Sequence, residues 1–187
     1  GLRDARYWTR IAERFGRLPF RPTQRSGVWL HAVSVGEVVS AVHLIEQLKN
    51  ELPGTPVWVS VTTVAGRELA EKRLAHLADG IFHAPFDLVW IVRRVLRQLD
   101  PAVVAILETE IWPNLWRETK KRDAALLVIN GRISDRAWPR YRALAPLFRH
   151  VVDHADRILA QSAQDADRFR QLVRSPERVN VAGNLKY

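Results

Sequence analysis

VWLHAVSVGEV, residues 28–38, runs from an apolar segment through a short polar turn into a helical repeat. Val38, Ala41, Val42, Ile45 and Leu48 follow at helical spacing. The pattern predicts a buried strand over Val28–Ala32, a turn, and a helix over 36–50 with Glu37 in its first turn. Ser34, Gly36 and Glu37 place a hydroxyl, a flexible glycine and a carboxylate within four residues. A polar turn between a strand's carboxyl end and a helix's amino end is where open parallel α/β sheets bind ligands.

Six further apolar runs repeat this geometry. Strands are predicted at 57–61, 81–84, 102–107, 125–129, 158–160 and 179–182, with helical patterns between them. Thr63, Asp87 and Ser162 are the expected N-caps, Ser134 opens a helical stretch, and Pro113 suits a first helical turn. The runs are continuously apolar rather than alternating, as in parallel strands covered on both faces. The expected fold is therefore α/β, a doubly wound (Rossmann-like) parallel sheet with helices on both faces. It forms one domain over 27–187 behind a separate opening segment, 1–26. We find no internal sequence repeat and no low-complexity stretch.

The opening segment carries much of the charge. The chain's formal charge is +9, and residues 1–25 hold seven arginines against two acids, a net +5. On a helix, Arg3, Arg6, Arg10, Arg14 and Arg17 share one face, while Trp8, Ile11, Ala12 and Phe15 share another. A basic amphipathic helix can lie on an anionic membrane surface, and it can equally be a solvated face packed on its domain. Seven tryptophans suggest that some lie at an interface. There is no cysteine, which excludes disulfides, thiolate metal sites and a cysteine nucleophile. Histidines lack metal-ligand spacing, so no metal site is expected. Neither GxGxxG nor GxxxxGK[ST] is present, which removes the glycine-rich nucleotide fingerprints. No apolar run is long enough to span a bilayer and no signal peptide is visible. With no methionine, and a helix-like pattern already under way at Gly1, the chain reads as a piece of a longer protein.

In a parallel sheet the residues after each strand share one rim. Here they are His31, Ser34, Gly36 and Glu37; Thr62 and Thr63; Pro85 and Asp87; Glu108, Thr109 and Glu110; Asn130, Gly131, Arg132 and Ser134; Gln161 and Ser162; and Gly183, Asn184 and Lys186. Carboxylates, hydroxyls, amides and two cations together suit a polyhydroxylated or phosphorylated small molecule. Each also has a plain structural reading. Ser34-x-x-Glu37 matches a capping box, Glu108 can pair with Arg132, and His31 can be a hydrogen-bonded core histidine.

HAVSVGEV (31–38), LETEIWPN (107–114), NGRIS (130–134), LAQS (159–162) and GNLKY (183–187) occur in this order. Together they closely resemble the N-terminal domain of bacterial 3-deoxy-D-manno-octulosonic acid (Kdo) transferases, over nearly the whole chain from about Gly27. Gly131 stands where alanine is common, and the Thr62-Thr63 region matches loosely. The resemblance implies the two-domain GT-B glycosyltransferase fold and transfer of Kdo from CMP-Kdo to a lipid A precursor. It places the reaction at the cytoplasmic face of the inner membrane, with an anchor upstream and no metal or other cofactor. This chain would then be the acceptor-side domain, without its C-terminal donor-binding domain and inactive alone. The family's catalytic glutamate falls on Glu37 and a second important glutamate on Glu108. Ser34, Gly36, Thr62, Thr63, Glu110, Asn114, Arg132, Ser162, Asn184 and Lys186 are carried as substrate-binding positions. The arginine-rich opening helix becomes a docking element for anionic lipid. Two alternatives stay open: a GT-B domain acting on another sugar acceptor, and a non-catalytic module for anionic ligands. A nucleic-acid partner is not expected, because the charge is concentrated at the start and no recognition motif is present.

Overall fold

Strands and helices alternate along the chain in the computed structural model, which describes residues 10–185. Arg3, Arg6, Trp8 and Lys186 lie outside the described residues. The strands are β1 (Val28–Ala32), β2 (Val57–Val61), β3 (Gly80–His83), β4 (Val103–Leu107), β5 (Ala125–Gly131), β6 (Arg157–Ala160) and β7 (Val179–Val181). The helices are α1 (Ile11–Arg14), α2 (Val35–Glu51), α3 (Val64–Leu74), α4 (Val89–Leu99), α5 (Pro113–Lys120), α6 (Trp138–Ala143), α7 (Ala145–Val152) and α8 (Ala163–Leu172). The expected seven strands are all present, each within a residue or two of its predicted bounds. The sheet order is β3-β2-β1-β4-β5-β6-β7, and the α/β doubly wound reading holds. The chain divides into two compact units, Gly1–Val104 and Ala105–Tyr187.

In the first unit, β1 and β2 are buried at every residue, as the continuous apolar runs require. They pair in parallel with Val28 opposite Val57, and β2 pairs β3 with Trp58 opposite Gly80. Trp29, Trp58 and Phe82 fill the core, and α4 buries Ile91, Val92, Val95, Leu96 and Leu99 along one stripe. Each such side chain contributes about 1.5–3 kcal/mol by leaving water. The cap expected at Asp87 is displaced: α4 begins one residue later, with Leu88 at its N-cap and no side-chain cap bond there.

The opening helix is the main correction. Its described part packs with its charges inward: Glu13 is 6% exposed and Arg14 2%, while Phe15 is 41% exposed. Ala12 is exposed as well. The cause lies in the sheet, because β3 is an edge strand and an edge leaves backbone donors unpaired. Glu13 Oε2 accepts the backbone N–H of His83 at 2.6 Å, and Arg14 Nη2 donates to the Thr62 carbonyl at 2.7 Å. Arg10 donates to Glu71 at 2.6 Å. These partners lie 48 to 70 residues away, beyond the reach of a helical-wheel argument.

In the second unit, β5 pairs β6 and β6 pairs β7, again in parallel. The β5–β6 register slips between Ile129 and Gly131, where Asn130 takes the left-handed conformation (φ 58°). Gly131 then lies so close to Phe169 that a Cβ would stand 3.0 Å from the ring. The helix expected from Ser134 starts later, at Trp138, and breaks at Leu144 into α6 and α7. Ser134 instead closes a turn, its Oγ accepting from the Ala137 N–H at 3.3 Å.

One device recurs without any repeat in the sequence. Asp79 precedes β3; its Oδ2 accepts from the Val57 N–H at 2.8 Å and from Lys49 Nζ at 2.6 Å. Lys49 also donates to the Thr55 carbonyl. In the second unit Asp156 precedes β6, and its Oδ2 accepts from the Leu126 N–H and Lys120 Nζ, both at 2.7 Å. Lys120 likewise donates to the Ala124 carbonyl. Each clamp satisfies backbone groups where the strands begin, the end of the sheet opposite the polar turns.

Candidate functional site

The first unit gathers Ser34, Gly36, Glu37, Thr62 and Thr63. Ser34 is the N-cap of α2 in an extended conformation, and its Oγ accepts from the Glu37 N–H. Glu37, 4% exposed, accepts from the Val33 N–H at 2.7 Å on Oε2 and from Ser34 Oγ at 2.8 Å on Oε1. The Ser34 half of the expected capping box is formed, whereas the Glu37 carboxylate takes the Val33 N–H and the Ser34 hydroxyl, and these bonds fix it at the helix mouth. Beside it Gly36 is exposed, as are Val35 (43%) and Val39 (58%).

Thr63 caps α3, accepting from the Gly66 N–H at 3.1 Å, and its own N–H donates to Val33 O at 3.2 Å. The two polar turns are thereby tied together. A Cβ at Gly66 would lie 2.7 Å from Thr63 Oγ1 and 2.8 Å from Val61, so only glycine lets α3 approach this closely. Thr62 Oγ1 is buried without a hydrogen-bond partner among the described residues.

Behind this group lie Glu13, Arg67 and His83, which sequence reasoning did not single out, and Arg14, which it placed on an exposed basic face. Arg14 Nη2 lies 3.4 Å from His83 Nδ1, and Arg67 Nη2 lies 3.7 Å from Glu13. Burial first, and the Arg14 charge second, lower the His83 pKa to about 4. Glu13, one of two acids within an arginine-rich stretch, was the one available signal. A cavity of about 560 Å³ opens beside Arg10, Glu13, Arg67 and Glu71, but these charges are paired among themselves.

His31 follows its plain structural reading. It is 1% exposed and lies 2.8 Å from Ser60 Oγ, which accepts from the Trp29 indole N–H at 2.8 Å. The Ser60 hydroxyl has one proton to donate, and giving it to Nδ1 suits a neutral ring. Burial lowers the His31 pKa to about 4.

The second unit forms its own group. Glu108, Thr109, Glu110, Arg132, Ser134 and Tyr141 line a cavity of about 300 Å³. Glu108 stands just beyond β4 with φ 56°, a left-handed conformation that a non-glycine residue adopts at a cost of about 1 kcal/mol or more. Its N–H donates to Ile129 O at 2.9 Å, and Thr109 Oγ1 accepts from the Arg132 N–H at 3.0 Å. The ion pair expected between Glu108 and Arg132 does not form. The loop from β5 carries Arg132 out to an exposed position, where its guanidinium has no ion partner among the described residues. Burial, reinforced by the charge of Glu110, raises the Tyr141 pKa above its ordinary value.

The other predicted positions are structural neighbours rather than lining residues. Asn114, in the first turn of α5, accepts from Arg117 at 3.0 Å. Ser162 caps α8 through the Asp165 N–H, and Asp165 Oδ1 accepts from the Ile133 N–H at 2.8 Å. Asp165 and Arg168, which donates to Ile133 O and Asp135, thus hold the loop after β5; neither was singled out from the sequence. Near Asn184, the Leu185 N–H points to Asn130 Oδ1 at 3.4 Å. Among the described residues no three His, Asp or Glu side chains are grouped to hold a metal ion, and no helix is long and apolar enough to cross a membrane.

A family model described as 3-deoxy-D-manno-octulosonic-acid transferase (kdotransferase) matches residues 9–187. The chain is 31% identical to a 3-deoxy-D-manno-octulosonic acid transferase of Haemophilus influenzae, over 100% of this chain and 44% of that protein. It is 30% identical to the transferase of the same description from Chlamydophila psittaci, over 97% of this chain and 42% of that protein. The chain thus spans less than half the length of these curated relatives. Among solved structures, UDP-GlcNAc 2-epimerase from Neisseria meningitidis superposes with a TM-score of 0.59 at 14% identity, over 85% of this chain and 47% of that one. That likeness speaks for the fold alone.

Proposed function

Because this chain belongs to the 3-deoxy-D-manno-octulosonic-acid transferase family, we propose that it is the N-terminal, acceptor-side domain of an inverting glycosyltransferase. The full protein would transfer Kdo from CMP-Kdo to a lipid A precursor in lipopolysaccharide synthesis, without a metal. The donor-binding half would lie in the part of the relatives that this chain does not cover.

The observation that carries this reading is Glu37, a buried carboxylate held at a helix mouth beside exposed Gly36. In the proposed step the acceptor hydroxyl oxygen attacks the anomeric carbon of the donor. Its proton passes to Glu37, and the bond to the CMP phosphate breaks with the electron pair leaving on the nucleotide. Glycine beside the carboxylate leaves room for the sugar to approach the backbone.

The membrane part of the reading moves away from Arg10 and Arg14, which are committed to protein partners. It rests instead on Phe15 (41% exposed), Leu88 (49%) and Trp90 (55%), with Trp90 stacked on Phe15. Arg93 and Arg97 follow Trp90 at helical spacing and Arg17 follows Phe15, all exposed. Aromatic side chains ringed by arginines suit the cytoplasmic face of an anionic inner membrane.

The test is an assay of CMP release from CMP-Kdo with a lipid A precursor as acceptor. The full-length protein should turn over and the chain 1–187 should not. Turnover by this chain alone, or none by the full-length protein, overturns the reading.

A further inference from the structure

Two cavities of the second unit adjoin, sharing Ser134 and Ala137 as a common wall, and their charges differ. The first, described above, presents Glu108, Thr109, Glu110 and Tyr141, groups that exchange hydrogen bonds with hydroxyls. The second, about 530 Å³, is lined by Ser134, Arg136, Ala137, Pro139 and Arg140. Among the described residues its only charged side chains are the two arginines. Both are exposed, and neither has an ion partner among the described residues. The nearest acid in sequence, Asp135, is already paired with Arg168, which also lies over the Trp138 ring at 5.9 Å. Arg132 stands unpaired in the neighbouring cavity.

Many other cations of the chain are paired. Arg10, Lys49, Arg67, Arg117, Lys120, Lys121, Arg168, Arg170 and Arg174 all have carboxylate partners. Arg136 and Arg140 set two guanidinium groups on one short segment, while Glu108 and Glu110 line the adjoining cavity with Arg132. A guanidinium matches phosphate oxygens bidentately, which a lysine cannot do.

From this juxtaposition we propose that Arg136 and Arg140 form a phosphate subsite beside a hydroxyl-binding cavity, so that the second unit takes a phosphorylated sugar. The sugar hydroxyls meet Thr109, Glu110 and Tyr141, and the phosphomonoester meets the two arginines. This rests on the acceptor-side reading above and names the groups that select a phosphorylated acceptor.

The test is an NMR titration of chain 1–187 with glucose 6-phosphate, glucose and inorganic phosphate. Glucose 6-phosphate should bind at least tenfold more tightly than either of the others. Arg136→Gln with Arg140→Gln should remove that gain without shifting the melting temperature. Arg136→Lys with Arg140→Lys keeps the charge, loses the fork, and should fall in between. Equal binding of glucose 6-phosphate by wild type and the double glutamine variant overturns the proposal. So does arginine-dependent binding of phosphatidylglycerol vesicles or duplex DNA without preference for the sugar phosphate.

The full-length protein separates this inference from the reading beneath it. If it transfers Kdo and the double glutamine variant keeps the wild-type KM for a phosphorylated acceptor, the subsite is wrong and the transferase reading stands. If it transfers no Kdo, the transferase reading fails, while tenfold tighter glucose 6-phosphate binding still upholds the subsite.

Discussion

Glu37 and Glu108 stand in opposite local situations, and substitutions separate their roles. The Glu37 carboxylate accepts from the Val33 N–H and the Ser34 hydroxyl, and a glutamine amide can accept the first and donate to the second while the Ser34 cap bond stays. Glu37→Gln should therefore melt within about 0.5 kcal/mol of wild type, since a retained cap keeps the helix start intact. As general base, however, its loss should lower the full-length rate about a hundredfold or more. A near-normal rate would remove Glu37 from the chemistry. Glu108 holds φ 56°, so glycine relieves backbone cost there while a β-branched residue adds to it. In urea unfolding, Glu108→Gly should stay within about 1 kcal/mol of wild type and Glu108→Val should fall by more. If both variants lose the same stability, the side chain rather than the backbone sets the position. The sequence named both glutamates because carboxylates at strand ends are conspicuous. It could not show the left-handed backbone at Glu108 or the absence of a pair with Arg132, since both depend on how the loop after β5 is held by Asp165 and Arg168.

Elements differed in how much of them could be read in advance. The strands were legible because a sheet covered on both faces demands unbroken apolar runs, and β1 and β2 are buried throughout. The helix α4 was legible from its apolar stripe, though its cap was not, because no side chain at Leu88 marks the start. The short helix α1 misled for a physical reason. Its amphipathic pattern was real, yet an edge strand and a free carbonyl drew Glu13 and Arg14 inward. Glu13→Ala would leave the His83 N–H and buried Arg67 without this carboxylate. We expect a loss of about 2–3 kcal/mol in urea unfolding, the scale of an unsatisfied buried donor. Protection of the His83 amide from hydrogen exchange should fall as well. An unchanged exchange rate would mean that α1 merely rests on the strand.

At the scale of the whole molecule, two buried histidines set an acid limit. The pKa of His31 is lowered to about 4 by burial, and that of His83 to about 4 by burial and the Arg14 charge. An unfolded histidine titrates near 6.5, so between these values the unfolded chain binds more protons than the folded one. Stability from this source is complete above about pH 6.5, declines as pH falls toward 4, and levels off below. For His31 the loss amounts to about 3 kcal/mol. His31→Gln should flatten the slope of melting temperature between pH 6.5 and 4, and an unchanged slope would assign the acid sensitivity to other groups.

The Asp79–Lys49 and Asp156–Lys120 clamps bear on how the protein can be handled. Where β2 and β5 begin, the clamps bind the backbone of Thr55, Val57, Ala124 and Leu126 directly. Residues 51–54 are exposed, and Gly54 has nothing within 4 Å of where a Cβ would stand. An affinity tag, a fluorophore or a tether to a solid support inserted after Gly54 is expected to leave folding unchanged. The same insertion after Gly36 would break the Ser34 cap. Immobilised through the clamped end, the domain would present the polar turns of its first unit to the solution, oriented for substrate capture.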